Sequence, residues 1–419
     1  MTIRLFDLAE CLSGSLDLIS PAVVGHHCRV GALAARLGRA AGLENQQIAD
    51  LGLAGMLHDV GAFALKDRLD ALSFDSNDTS HPETGFRLLR CYPGFQAAAE
   101  MVQAHHTPWA WMRTSYGPPG PGKALGNLVY LVDRVDTLLP RSPDQPLDPD
   151  GVVERIRSGK NKMFNPEWVD AFEDLAASPE FWEEMAERPA KCARWGIAPE
   201  CNPVLSFGEV SALSRVFSQI IDFRCRFTAT HSRGVTAIAV ALGKELGMSQ
   251  EDLEQLEIAG QLHDLGKLAV PAEIILKPGA LDTGEMATMR QHAEHGFNAL
   301  SGVPGLSDVA RWVGQHHERL DGKGYPGRVG ASQIDLASRV LAVADIFTAL
   351  AEDRPYRKGM DLGQITTIIG NSCAEGALDH SVTSALIGRG RDFDGLRLEA
   401  QSQALRDFER FAAGIAPHA

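Results

Sequence analysis

The seven cysteines of this chain form no CxxC pair, and their number is odd. That pattern excludes a disulfide framework and a zinc ribbon, and it fits a reducing cytoplasm. No apolar run approaches the roughly 20 residues that span a bilayer. The amino-terminal MTIRLFDLAECLSG also carries acidic residues where a secretion signal has a basic and then an apolar run. A chain with no membrane segment of its own is therefore expected. Positive charge is in deficit too: 40 Lys and Arg stand against 54 Asp and Glu, for a net charge of −14. This rules out a broad electrostatic grip on nucleic acid polymers or anionic lipid, so an anionic ligand has to be met by a few locally placed cations. Strand-like alternation is scarce. Nor is there a receiver-, GAF- or PAS-like segment from which an input signal could be read.

What the chain does have is helical periodicity. Val235, Ile238, Ala239, Leu242 and Leu246 recur at three- and four-residue steps, as do Leu253, Leu256, Ile258, Ala259 and Leu262 behind the cap-like Ser249 and Asp252. Gly247, Gly279, Gly302 and Gly305, with Pro278 and Pro304, punctuate these runs. The expected fold class is all-α. With 419 residues, 44% of them hydrophobic, the chain is long enough for two or three domains with real cores.

An internal repeat fixes the domain count at two. Asp17, His26, His58 and Asp59 stand 205 positions before Asp222, His231, His263 and Asp264. His81, His105 and His106 stand 211 before His292, His316 and His317, and Asp133 stands 212 before Asp345. Length changes this small belong in loops. The expected arrangement is two tandem helical bundles, residues 1–182 and 211–419, joined by a helical connector over 183–210. The amphipathic run VSALSRVFSQIIDF before His231 would either pack the two halves together or form a homodimer.

In the second half, His231, His263, Asp264, His292, His316, His317 and Asp345 lie in or beside apolar helical runs, so a bundle can turn them toward one interior cavity. Imidazole with carboxylate suits iron, manganese or zinc. Any one of these histidines alone would more often be a hydrogen-bonded core residue. However, ten of the 14 histidines recur in register, which scattered core residues have no reason to do. The ligand number exceeds what one tetrahedral ion needs. Two ions about 3.5–4 Å apart, sharing Asp264 and holding a hydroxide for in-line attack on phosphorus, would use it. Lys267, three residues after Asp264, can stabilise charge on a phosphate, or else it is a solvated helix-end lysine. Arg354 and Arg357 can clamp phosphate, or else they cap a helix. The loop DGKGYPG brings backbone close to a ligand or partner, and its Tyr325 can stack or pack.

On HSRGV, HDLGK, HAEHG, QHHERLDGKGYP, VADIFTAL and DRPYR, in that order over about Asp222 to Met360, the second half resembles the HD-GYP family of HD-domain phosphohydrolases. The resemblance implies an all-helical, metal-dependent phosphodiesterase. It would hydrolyse cyclic di-GMP to pGpG and in some members on to GMP, while other members prefer cyclic GMP-AMP. It implies two divalent ions, iron or manganese, held by the seven residues above. Asp264 and Lys267 would be catalytic, and Lys267, Arg354, Arg357 and Tyr325 would be on the substrate. The GYP loop, Gly324 to Pro326, would be a docking point for a signalling partner. A catalytically dead effector that binds the cyclic dinucleotide is the competing class, and the complete ligand set weighs against it. Members with a third ion carry Glu where this chain has Phe227 (Ala22 in the first half), so two ions and pGpG are expected. The family's second aspartate, three residues after the last ligand, is here Thr348.

The first half looks like a divergent copy that kept a second metal set, His26, His58, Asp59, His81, His105, His106 and Asp133. The lysine position is Ala62, the glutamate after the double histidine is Thr107, and the loop reads TSYGPPGPG. A sensor of nucleotide or metal, a second active site and a structural partner all remain open. Binding without turnover is the expectation.

Overall fold

The structure, a computed structural model, describes residues 2–18, 24–62, 80–115, 120–140, 145–186, 196–223, 230–353 and 357–413. It divides into two compact units, Arg4–Val204 and Leu205–Ala419, the latter joined by Met1–Ile3. The division at Val204 and Leu205 falls inside the stretch 183–210 that separates the repeats. Both units are helical, and among the described residues only isolated bridges pair extended backbone.

The amino-terminal unit contains α1 (Leu5–Asp17), α2 (His26–Ala40), α3 (Asn45–Leu57), α4 (Ser80–Leu89), α5 (Gln96–Ala104), α6 (Trp109–Ser115), α7 (Pro121–Leu138), α8 (Pro149–Arg157), α9 (Pro166–Ala176) and α10 (Pro179–Ala186). The carboxy-terminal unit contains α11 (Phe207–Asp222), α12 (His231–Glu245), α13 (Gln250–Leu262), α14 (Ala272–Ile275), α15 (Thr283–Ser301), α16 (Ser307–Gln315), α17 (Leu336–Ala351), α18 (Leu362–Ala374), α19 (His380–Gly388) and α20 (Gly390–Ala412). A 3-10 turn, Leu265–Ala269, follows α13.

These elements start where local chemistry starts them. Ser249 accepts from the Asp252 amide to open α13, and Asp282, Asp335, Asp361 and Asp379 do the same for α15, α17, α18 and α19. Each side-chain oxygen satisfies an amide that the helix leaves without a partner. Gly247 takes the left-handed conformation after α12, with φ 72°. The periodic apolar positions form the core: Val235, Ile238, Ala239, Leu242, Leu256, Ile258, Ala259 and Leu262 are all fully buried.

The repeat is legible in three dimensions at its tightest contact. A Cβ on Gly266 would lie 1.9 Å from the His292 carbonyl oxygen, and one on Gly61 would lie 2.2 Å from that of His81. In each unit a glycine two residues after the His-Asp pair lets that turn touch the helix carrying the next histidine.

Candidate metal centre

In the carboxy-terminal unit His231 opens α12, His263 ends α13, and Asp264 begins the 3-10 turn. His292 sits within α15, His316 and His317 follow α16, and Asp345 lies in α17. Six of these seven are buried, and the His317 side chain is 26% exposed. His263 Nδ1 lies 2.8 Å from the Gly260 carbonyl, His292 Nδ1 2.6 Å from Met289 and His316 Nδ1 2.5 Å from Val313. A carbonyl only accepts, so Nδ1 carries the proton in each ring and Nε2 is the lone-pair atom that faces inward. The sequence arranges this locally, because the acceptor is always three residues back on the same helix.

Asp264 reaches both sides of the cluster. Its Oδ2 is 3.5 Å from His263 Nε2 and its Oδ1 is 3.7 Å from His292 Nε2. His292 and His316 bring their Nε2 atoms to 3.3 Å, and Asp345 contacts His231 Nε2 at 3.2 Å and His317 Nδ1 at 3.7 Å. Two donors about 2.1 Å from one ion stand roughly 3–4 Å apart, so these spacings are the edges a coordination shell needs. His263 Nε2 is buried without a hydrogen-bond partner among the described residues, as a ligand nitrogen would be. The donor set fits divalent ions of the iron, manganese and zinc kind.

The electrostatics match a pocket built for cations. Burial opposes a charge on His231, but Glu352 and Asp345 outweigh it and raise its pKa to about 10. Burial lowers His292 to about 3, with His317 adding to the effect, and lowers His317 to about 4. Burial also works against Asp264, yet Lys267 and the surrounding imidazoles hold its carboxyl well below the usual range. Lys267 Nζ sits 2.6 Å from Asp264 Oδ2.

Several residues that sequence reasoning missed support this set. Glu352 Oε2 lies 2.9 Å from His231 Nδ1, and Glu352 Oε1 accepts from Gln401 Nε2 at 2.5 Å. Gln401 Oε1 in turn accepts from Arg397 at 2.5 Å, so α20 fixes the carboxylate that fixes His231. Glu318 takes the Gly327 amide at 2.5 Å and the Val329 amide at 3.2 Å, and this holds the GYP loop. The loop places the Tyr325 ring centroid 4.8 Å from that of His317. The Arg290 guanidinium lies over the Tyr325 ring, 5.3 Å from its centroid.

The two arginines expected on the substrate fare differently. Arg357 donates to the carbonyls of Ala349 at 2.9 Å and Leu350 at 3.1 Å, so its terminal nitrogens close the end of α17. These contacts match the helix-capping alternative, in which a side chain donates to last-turn carbonyls that the helix itself leaves without an intrahelical donor. Arg354, Phe227 and Ala22 lie outside the described residues.

The amino-terminal unit repeats the cluster. Asp59 Oδ2 is 3.5 Å from His58 Nε2, and its Oδ1 is 3.2 Å from His81 Nε2 and 3.7 Å from His105 Nε2. Asp133 Oδ1 faces His26 Nε2 at 3.5 Å. His106 packs against His105 with ring centroids 4.2 Å apart. Burial lowers the His58 pKa to about 3. Here His26 Nδ1 is held at 2.7 Å by Asp136, three residues after Asp133. Thr348 stands at the matching position of the other unit, and Glu352, one helical turn further on, takes over the same bond. The amino-terminal unit also has buried Arg134 bound to Asp133 Oδ2 at 2.5 Å, where the other unit has Ile346.

Known proteins resemble this chain in sequence and fold. A profile of the HD domain matches residues 215–382, and a second HD-domain profile matches 23–139. The chain is similar to 3'3'-cGAMP-specific phosphodiesterase 1 of Vibrio cholerae, 29% identical over 395 residues and 91% of either chain. It is also similar to the cyclic di-GMP phosphodiesterase response regulator RpfG of Xanthomonas campestris, 38% identical over 152 residues, 36% of this chain and 40% of that protein. A solved structure of a cyclic GMP-AMP phosphodiesterase of V. cholerae, V-cGAP3, has the same fold, with a TM-score of 0.64 at 21% identity over 93% of this chain and 98% of that one.

Proposed function

This chain belongs to the HD-domain proteins and carries two such domains in tandem, and from that premise we propose that its carboxy-terminal unit hydrolyses a phosphodiester bond of a 3'3'-cyclic dinucleotide. The observation that carries the proposal is the Asp264 carboxylate, set between His263 at 3.5 Å and His292 at 3.7 Å with Lys267 at 2.6 Å. His231, His263, Asp264 and Asp345 would hold one divalent ion, and Asp264, His292, His316 and His317 a second. Such ions, when bound, make water a nucleophile at neutral pH and neutralise charge on phosphoryl oxygens.

The rest falls to the chain itself. Lys267 can exchange its contact with Asp264 for a phosphoryl oxygen and stabilise the charge that grows there. Arg290, exposed beside Tyr325, supplies the other local cation that an acidic chain needs for an anionic ligand. Tyr325 lies against His317 and offers a ring face to a base. Glu318 holds the loop that carries it.

Cyclic GMP-AMP is the substrate we favour over the cyclic di-GMP expected from the sequence, because the relative matched over 91% of both chains is named for it. Cyclic di-GMP is the second reading, supported by the 38% identity to RpfG over 152 residues. Turnover of both compounds by the manganese- or iron-loaded full chain, followed by product chromatography, tests the proposal. Linear dinucleotide should appear with the wild-type chain and vanish with Asp264→Ala. Equal output from the two chains would sink it, and the ratio of kcat/KM values chooses between the substrates.

A further inference from the structure

One imidazole of the amino-terminal unit has no counterpart in the other. His27 stands 205 positions before Ser232 and, like it, directly follows the first histidine of its set. Ser232 donates its hydroxyl to Asp222 at 3.0 Å. His27 directs Nδ1 to Asp17, the carboxylate matching Asp222, and its Nε2 stands 3.9 Å from Asp59 Oδ2. A proton on Nδ1, held by a carboxylate, makes Nε2 the lone-pair nitrogen, which is how metal-binding histidines are oriented. The ring is buried, and the nitrogens of His26, His27 and His58 come within 4.8 Å of one another.

We infer that His27 is a further ligand, absent from the other unit, to a divalent transition-metal ion that the HD-type set His26, His58, Asp59 and Asp133 would hold in the amino-terminal unit. The edges fit: His26 and His58 Nε2 lie 3.5 Å and 3.7 Å from Asp133 Oδ1, and His58 Nε2 lies 3.5 Å from Asp59 Oδ2. His26 Nε2 and His58 Nε2 are buried without hydrogen-bond partners among the described residues, and an ion accounts for both. Arg134 occupies Asp133 Oδ2 and leaves that carboxylate a single oxygen to offer. Three imidazoles with two carboxylates suit iron(II), manganese(II) or zinc(II). Catalytic ions keep a position open for water or substrate, whereas structural ions have theirs filled by protein. His27 therefore takes a position that the other unit leaves to water or substrate.

The test is metal retention by the full chain, with turnover playing no part in the readout. Wild type, His58→Ala, His27→Ser and His27→Gln are loaded with manganese or zinc and desalted. Metal per chain and release to a chelator are then measured, with folding checked by circular dichroism. The wild-type chain should retain about one more ion per chain than His58→Ala. The His27 variants, which carry either the residue used by the other unit or one that can still bond Asp17, should release that ion about 10–100-fold faster. Equal metal content in wild type and His58→Ala would overturn the site. Unchanged release from a folded His27 variant would overturn the role of His27.

Discussion

Replacing Glu352 by alanine isolates the contribution of a residue that is outside the candidate ligand set but orients a member of it. The substitution leaves two buried donors without their acceptor, His231 Nδ1 at 2.9 Å and Gln401 Nε2 at 2.5 Å. Each unsatisfied group costs about 1–3 kcal/mol, so a stability loss of roughly 2–6 kcal/mol is the upper bound. For the metal, loss of the partner that holds a histidine ligand costs about 10–100-fold in affinity. The amino-terminal unit shows how to repair it. There Asp136 makes the equivalent bond to His26 at 2.7 Å, and its counterpart Thr348 is buried with a hydroxyl that has no hydrogen-bond partner among the described residues. Thr348→Asp alone should therefore be harmful, because it buries a second carboxylate beside Glu352 and Asp345. In the Glu352→Ala background it should instead restore metal retention and kcat/KM. Metal titration and steady-state kinetics on the wild-type chain, the two single variants and the double variant give the full cycle. Glu352→Ala with wild-type metal affinity, or a double variant no better than Glu352→Ala, would refute the relocation of this carboxylate by one helical turn.

Glu318→Ala should leave metal content unchanged and lower kcat/KM by about 10-fold, with faster proteolysis in the GYP loop, since it removes the acceptor of the Gly327 and Val329 amides at 2.5 Å and 3.2 Å. Lys267→Ala and Arg357→Ala should separate cleanly. The first lowers kcat by about 100-fold at unchanged melting temperature. The second lowers the melting temperature through about 1 kcal/mol of lost capping, with little change in KM. Gly266→Ala should abolish metal retention together with thermal stability, because its Cβ would stand 1.9 Å from the His292 carbonyl oxygen and force the two segments that carry ligands apart. Calorimetry with metal analysis checks it, and a stable, metal-loaded Gly266→Ala chain would contradict the close approach.

The candidate donor cluster was legible because helix geometry constrains it. Each donor sits at a helix end or on a fixed helical face, so a functional cluster imposes spacings that the repeat then prints twice. What the repeat could not show was compensation. Thr348 read as a missing aspartate, while the carboxylate that replaces it lies at Glu352, just past the end of α17, where register comparison has no reason to look. His27 was hidden for the opposite reason: the repeat has Ser232 in its place, and only the fold shows its ring bound to Asp17 and facing Asp59. Arg357 had two readings on sequence grounds, and its bonds to the Ala349 and Leu350 carbonyls at the end of α17 are those of a cap. The helical class followed from periodicity and caps such as Ser249. The place where the units divide, after Val204, depends on which contacts each segment makes, and composition does not carry that.

The two units keep nearly the same donors and differ in where their cations stand. In the amino-terminal unit Arg29 and Arg134 are buried, and each is bound to a carboxylate, Asp136 at 2.5 Å and Asp133 at 2.5 Å. A planar guanidinium bound in this way, out of solvent, cannot leave its carboxylate for a phosphate without stranding a buried charge. In the carboxy-terminal unit the nearby cation is Lys267, whose side chain is 21% exposed and sits on a flexible stem, with Arg290 exposed at the Tyr325 ring. These can turn to an incoming anion at small cost. Both sites keep donor sets that could hold a cation, and the freedom of the neighbouring positive charge is what favours the carboxy-terminal one for a phosphate. On that criterion we assign the substrate to the carboxy-terminal unit and only an ion to the amino-terminal one.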